Sequence, residues 1–168
     1  AAAGKLILIA GDVATTEVVG QGKARHTVPV QAGGAWLSSD NGRSWAAAAA
    51  TPAGSGAQPQ ISGVAAAGDG FVLVRPATVN ARPAVDVYRS ADGTAWTHPV
   101  TLSTPAGLVT GPVDGGPAGA VVTGQAGQVL TAFVSPNGVT WQPAGTFGSA
   151  ASQTLSGAAM TQHGAVVT

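Results

Sequence analysis

The side chains that could do chemistry are few, and their spacing argues against most of it. The chain has no cysteine, which excludes thiol catalysis, a disulfide framework and cysteine-based zinc or iron–sulfur sites. His26, His98 and His163 stand far apart, without HxH or HExxH spacing, so they suggest no metal centre. Glu17 is the only glutamate and Tyr88 the only tyrosine. Asp12, Asp69, Asp86 and Asp114 show no spacing that would pair two carboxylates for glycoside hydrolysis. Serines are plentiful, but no GxSxG elbow presents one as a nucleophile. The glycines follow apolar runs as turn residues and form no phosphate-cradling or dinucleotide-binding loop. No catalytic residue, metal or cofactor is assigned on this reading. Positive charge does cluster: Lys23, Arg25, His26, Arg75 and Arg82 fall within two stretches, Gly11–Gly34 and Arg75–Ala84. A guanidinium matches the geometry of a carboxylate. Arg25, His26, Arg75 and Arg82 are therefore the candidate residues for a face that meets an anionic ligand.

Composition narrows the setting. Seven basic residues balance seven acidic ones, and charged residues make up only 8% of the chain. Recognition of a nucleic acid by bulk charge is therefore disfavoured. No run approaches the ~18 apolar residues needed to span a bilayer as a helix. Alanine, glycine and valine dominate while lysine occurs only as Lys5 and Lys23, a bias expected of a GC-rich bacterial genome. The chain starts at Ala1 rather than Met, compatible with a removed signal peptide or with excision from a longer polypeptide. An extracellular or cell-envelope location is the expectation.

The elements that must position these residues repeat along the chain. Ser38-Ser39-Asp40-Asn41-Gly42-Arg43-Ser44-Trp45, Ser90-Ala91-Asp92-Gly93-Thr94-Ala95-Trp96 and Ser135-Pro136-Asn137-Gly138-Val139-Thr140-Trp141 share one pattern. Each has Gly three residues before Trp, with Asp or Asn directly or nearly before the Gly. Short apolar runs recur in phase, as Ile61–Ala66 then Gly70–Val74, Val109–Val113 then Gly119–Val122, and Leu155–Met160 then Gly164–Val167. Leu6–Ala10 matches the second half of that pattern. Runs of this length, rich in Val, Ile and Leu and bounded by Gly, Pro, Asn and Asp, read as strands. Asn-Gly and Asp-Gly favour tight hairpin turns because both positions accept positive φ. Ala46–Ala50 is too short to nucleate a helix and, with Pro52 and Gly54 behind it, reads as a fourth strand. Four short strands per roughly 45–50 residues is the pattern of a β-propeller blade.

Ser38-x-Asp40-x-Gly42-x-x-Trp45 resembles the Asp-box, or BNR repeat, of sialidase-like propellers at all four signature positions. Ser90-x-Asp92-Gly93-x-x-Trp96 is similar to a variant one residue shorter, and Ser135-x-Asn137-Gly138-x-x-Trp141 departs from it by Asn for Asp. The resemblance implies that the box is a folding device away from the catalytic face, so Asp40 and Asp92 are structural rather than catalytic. The carboxylate accepts backbone N–H groups of its own turn, glycine supplies the left-handed conformation, and the indole caps the hairpin. Asn137 can accept the same bonds without charge. The resemblance also implies, for a sialidase, an arginine triad, a Tyr–Glu nucleophile pair, an acidic proton donor and an early Arg-Ile-Pro motif. That motif is absent, and Tyr88 and Glu17 alone do not assemble the site.

The expected architecture is all-β: a β-propeller of four-stranded antiparallel blades with about three and a half blades present. The blades are 1–52, 53–104 and 105–149, with a half blade at 150–168. Connections between the second and third strands, which face a ligand in the resembled family, are expected at Gly11–Gly34, Arg75–Ala84 and around Gly124–Gly127. The expected role is non-catalytic recognition of a carbohydrate or protein, or scaffolding. The alternatives are a piece of a carbohydrate-active enzyme with its catalytic residues elsewhere, and an assembly factor like the photosystem-assembly and sorting-receptor propellers. Three and a half blades do not close a ring. The remaining blades of a longer chain, or else a second copy, are the expected partners.

Overall fold

A computed structural model describes residues 1–48, 60–97, 99–149 and 151–168. The described residues form fourteen strands, one short 3-10 turn at Gly22–Ala24, and no α-helix. Sheet 1 contains β1 (Ala2–Ala3), β2 (Leu6–Val19), β3 (His26–Ser38) and β4 (Ala46–Ala47). Sheet 2 contains β5 (Gly63–Ala67), β6 (Gly70–Val79), β7 (Arg82–Ser90) and β8 (Val100–Leu102). Sheet 3 contains β9 (Val109–Gly116), β10 (Gly119–Ala126), β11 (Val129–Ser135) and β12 (Gln142–Ser149). A final hairpin pairs β13 (Ala158–Thr161) with β14 (Gly164–Val167). Each sheet is an antiparallel meander whose strands lie in chain order.

The registers make the three sheets equivalent position by position. Ile7 pairs with Ser38, Phe71 with Ser90 and Ala120 with Ser135. Two residues further along, Ile9 pairs with Trp36, Leu73 with Tyr88 and Val122 with Phe133. Successive residues of a strand point to opposite faces, so these positions share one face, here called the leading face. Leu8, Val72 and Val121 belong to the opposite, trailing face. The trailing face of each sheet packs on the leading face of the next. Val72, Val74, Val85 and Val87 of sheet 2 cluster with Ala120, Val122 and Phe133 of sheet 3. Leu8 and Ala35 of sheet 1 cluster with Phe71 of sheet 2.

Burial on both faces explains why β6 opens on a run of apolar residues instead of alternating. Phe71, Val72, Leu73 and Val74 are all fully buried. The first strands of sheets 2 and 3, β5 and β9, run close together, with the Gly68 N–H donating to Gly116 O at 3.0 Å. Gly115 is required there, because a Cβ would run into the Ala66 carbonyl oxygen.

Several expectations change. Gly11–Gly34 is not a loop. β2 and β3 continue through it as one long hairpin, from Ile7 opposite Ser38 to Val19 opposite His26, and only 20–25 form the connection. The β-branched residues along both strands favour extended backbone. Arg75–Ala84 likewise narrows to the turn Asn80–Ala81, with φ of 51° and 59°, which places Arg75 inside β6. The third connection narrows to Gly127–Gln128. Ala46–Ala47 is a strand paired to β3. Ala48 continues beside β3, its N–H donating to Ala35 O at 2.9 Å, while Ala49 and Ala50, the boundary at 52/53, Ala150 and His98 lie outside the described residues.

Candidate functional site

The three Trp-bearing turns are built alike from their first residue. In each, the serine hydroxyl accepts the glycine N–H at 2.8 Å, from Gly42 to Ser38, Gly93 to Ser90 and Gly138 to Ser135. The same hydroxyls donate to Asp40, Asp92 and Asn137 at 2.8, 3.3 and 3.3 Å. The acidic or amide side chain then accepts from the backbone beyond the glycine. Asp40 accepts Ser44 N–H at 2.9 Å and the Ser44 hydroxyl at 2.6 Å. Asp92 accepts Thr94 N–H at 2.8 Å, and Asn137 accepts Val139 N–H at 2.9 Å. The glycines hold φ of 84°, 80° and 73°, a region L side chains avoid. Trp45 and Trp141 donate through Nε1 to the carbonyls of Gly42 and Gly138 at 3.2 and 3.3 Å. Trp96 Nε1 is buried without such a bond among the described residues.

These bonds hold both carboxylates ionised. Asp40 is pulled down to about 2, first by the Ser44 hydroxyl and then by the Ser44 N–H. Asp92 is lowered to about 2, first by the Thr94 N–H. A carboxylate saturated with its own turn's donors is a poor general acid or base at neutral pH. The serine's part in the turn is the feature sequence reasoning overlooked, although serine heads all three segments.

The glycines of the second and third turns seat on the sheet before them. The Cβ position of Gly138 lies 2.7 Å from Val72 Cγ1, and that of Gly93 lies 3.0 Å from Leu37 Cδ1. Gly42 meets only Ile7 and Trp45 of its own sheet, at 3.7 Å. Arg89 secures the third turn from sheet 2, donating to Asn137 O at 2.8 Å while pairing with Asp69 at 2.8 Å.

The four candidate ligand-facing residues separate. Arg75 is buried, 3% exposed, on the leading face of sheet 2. Its Nη1 donates to Gln60 O at 3.4 Å. Burial lowers the affinity of this guanidinium for its proton, while Tyr88 and Asp12 oppose that shift. Burial also raises the Tyr88 phenol, and the charge of Asp86 adds to it. Arg75 thus belongs to an internal polar cluster, because it shares the leading face with Phe71 and Leu73. Arg25 and His26 are exposed at the tip of the β2–β3 hairpin, where His26 Nδ1 lies 3.1 Å from Ala24 O. Arg82 lines an open groove of about 520 Å³ together with Val79, Asn80, Pro83, Ser103, Thr104 and Pro105. Among the described residues no carboxylate lines it.

Two hydrogen bonds hold the groove's walls. Leu108 N–H donates to Pro83 O at 2.7 Å and joins the two segments, while the Thr104 hydroxyl donates to Gly107 O at 2.7 Å within its own turn. Each sheet's second connection and its Trp turn lie at opposite ends of its third strand, so Arg82 and the Trp turns occupy opposite ends of sheet 2. Among the described residues no group of three His, Asp or Glu side chains is placed to hold a metal, and no helix is long and apolar enough to cross a membrane. No family model, curated protein or solved structure matches the chain.

Proposed function

We propose that the chain is three and a half blades of an Asp-box β-propeller and serves as a non-catalytic recognition module. One observation carries the propeller reading: three sheets with equivalent registers each seat a Ser–Asp/Asn–Gly–Trp turn in phase. The first strands of successive sheets also lie beside one another, β5 beside β9 and β9 beside β13, which supports it as well. The non-catalytic reading rests on the spent carboxylates of Asp40 and Asp92, and on the burial of Arg75.

Recognition falls to the end opposite the boxes, where short connections are held by a stiff scaffold. The Arg82 groove supplies a cation, an amide and two hydroxyls beside proline and valine surfaces. Its volume is within the range of small-ligand sites, ~300–1,000 Å³. A carboxylate-bearing sugar suits it better than a neutral one. The test is a titration followed by amide shifts of residues 79–83 and 103–105, with glucuronate against glucose. Glucuronate should shift these amides in a saturable way that Arg82→Gln abolishes, with the melting temperature unchanged. Equal responses to both sugars, or a response that survives Arg82→Gln, would remove Arg82 from the reading.

A further inference from the structure

The leading face of sheet 1 has the side chains of an interface but stands exposed. In sheets 2 and 3 the equivalents of Ile9 are Leu73 and Val122, both 0% exposed, whereas Ile9 is 49% exposed. Tyr88 and Phe133 are 3% and 9% exposed, whereas their equivalent Trp36 is 37% exposed. Trp45 is exposed too, while Trp96 and Trp141 are half-buried against the neighbouring sheet. The sequence has kept the apolar side chains, and only the cover is missing. A contiguous apolar surface that is buried at every equivalent position marks an interaction site.

The chain also carries the complementary surface at its other end. In the final hairpin Ala159 pairs with Val166, as Ala65 pairs with Val72 in sheet 2. Ala65 and Val72 are 3% and 0% exposed beneath sheet 3. Ala159 is exposed and Val166 is 53% exposed. Their neighbours Ala158, Met160, Ala165 and Val167 point the other way and are half-buried. The hairpin therefore presents the same Ala–Val trailing face that sheet 2 presents to the third Trp turn, and the first Trp turn has no such face beneath it.

We propose that the leading face of sheet 1 docks a second copy of this chain, through the open trailing face of that copy's final hairpin. The contact is head-to-tail, and it continues the packing that already joins sheet 1 to sheet 2 and sheet 2 to sheet 3. In it, Gly42 sits over the partner copy's Val166 as Gly138 sits over Val72. Head-to-tail contacts close into a ring or extend, according to the rotation per copy.

The test uses Ile9→Asp and Val166→Asp in the 168-residue chain, with mass followed by light scattering and sedimentation. Both side chains are half-exposed, so each variant should keep its circular dichroism. If one does not, Ile9→Thr or Val166→Thr, which preserve β-branching, replaces it. The wild type should show at least twice the chain mass, and each variant alone should be monomeric. Mixing the two variants should restore a 1:1 complex, because the mixture contains one intact pair of faces. A monomeric wild type overturns the proposal and leaves a further repeat of a longer chain as the cover. Self-association of Val166→Asp alone overturns it in favour of pairing between two first sheets.

Discussion

Adding a single methyl group at the glycine of each Trp turn should destabilise the three turns unequally. Gly42, Gly93 and Gly138 share the left-handed backbone, with φ of 84°, 80° and 73°. Alanine in that region costs each of them about 1–2 kcal/mol. The surroundings then differ. At Gly42 the new Cβ has ordinary contacts at 3.7 Å, so Gly42→Ala should cost only the backbone term. At Gly93 it meets Leu37 Cδ1 at 3.0 Å, the end of a flexible side chain that can swing aside. At Gly138 it meets Val72 Cγ1 at 2.7 Å and Ala67 Cβ at 3.2 Å. Val72 is stiff about χ1 and fully buried, and overpacking of that kind adds roughly 1–3 kcal/mol. Gly138→Ala should therefore cost about 2–5 kcal/mol in total, with Gly93→Ala between the two. Urea unfolding followed by tryptophan fluorescence reads the differences directly. The series is best run in the Val166→Asp background, which keeps the first turn uncovered. Equal losses at Gly42 and Gly138 would refute the idea that the third turn is seated on the sheet before it.

The tryptophans should follow the same order. Trp141→Ala, emptying a site at the core between sheets 2 and 3, should cost about 3 kcal/mol, and Trp45→Ala clearly less, since Trp45 is 41% exposed. Arg75→Ala should destabilise by roughly 3 kcal/mol by breaking a buried polar cluster, whereas Arg82→Ala should stay within about 0.5 kcal/mol, as surface changes do. Asp40 and Asp92 fall from an ordinary value of 3.8 to about 2 in the folded chain. Their contribution to stability is therefore present above about pH 4 and lost as the pH falls through 2. Asp92→Asn should flatten part of that acid-side loss and Asn137→Asp should steepen it, both read as melting temperature between pH 5 and 2.

The Trp turns were legible in the sequence because their mechanism is local. Serine, carboxylate or amide, and glycine act within a few residues of one another, and Asn137 makes the bonds its amide oxygen permits. Strand positions were legible for the same reason, since Gly and Asn-Gly punctuation bounds each run. The length of the β2–β3 hairpin was not, because Gly11, Gly33 and Gly34 interrupt the apolar pattern while backbone pairing continues through them. Arg75 was misread as a loop residue by its charge. Its place two residues after Leu73 already set it on the buried side of a strand. The burial itself depends on sheet 1 lying across that face, which no local pattern encodes. Open faces at the two ends were expected from a repeat count too small to close a ring, but Ile9 and Val166 were not singled out as lining them. Their residue types match those of covered positions, and only the packing of neighbouring sheets distinguishes them.

The most direct measurement of the central claim, that successive sheets stack through their Trp turns, is a methyl-resolved NOE experiment on the folded chain. The account predicts strong cross-peaks from Gly138 Hα to the Val72 methyls and from Gly93 Hα to the Leu37 methyls. For Gly42 Hα, in the Val166→Asp variant, it predicts cross-peaks only to Ile7 and Trp45. Absence of the Gly138–Val72 and Gly93–Leu37 cross-peaks in a chain whose strand pairings are intact would contradict it.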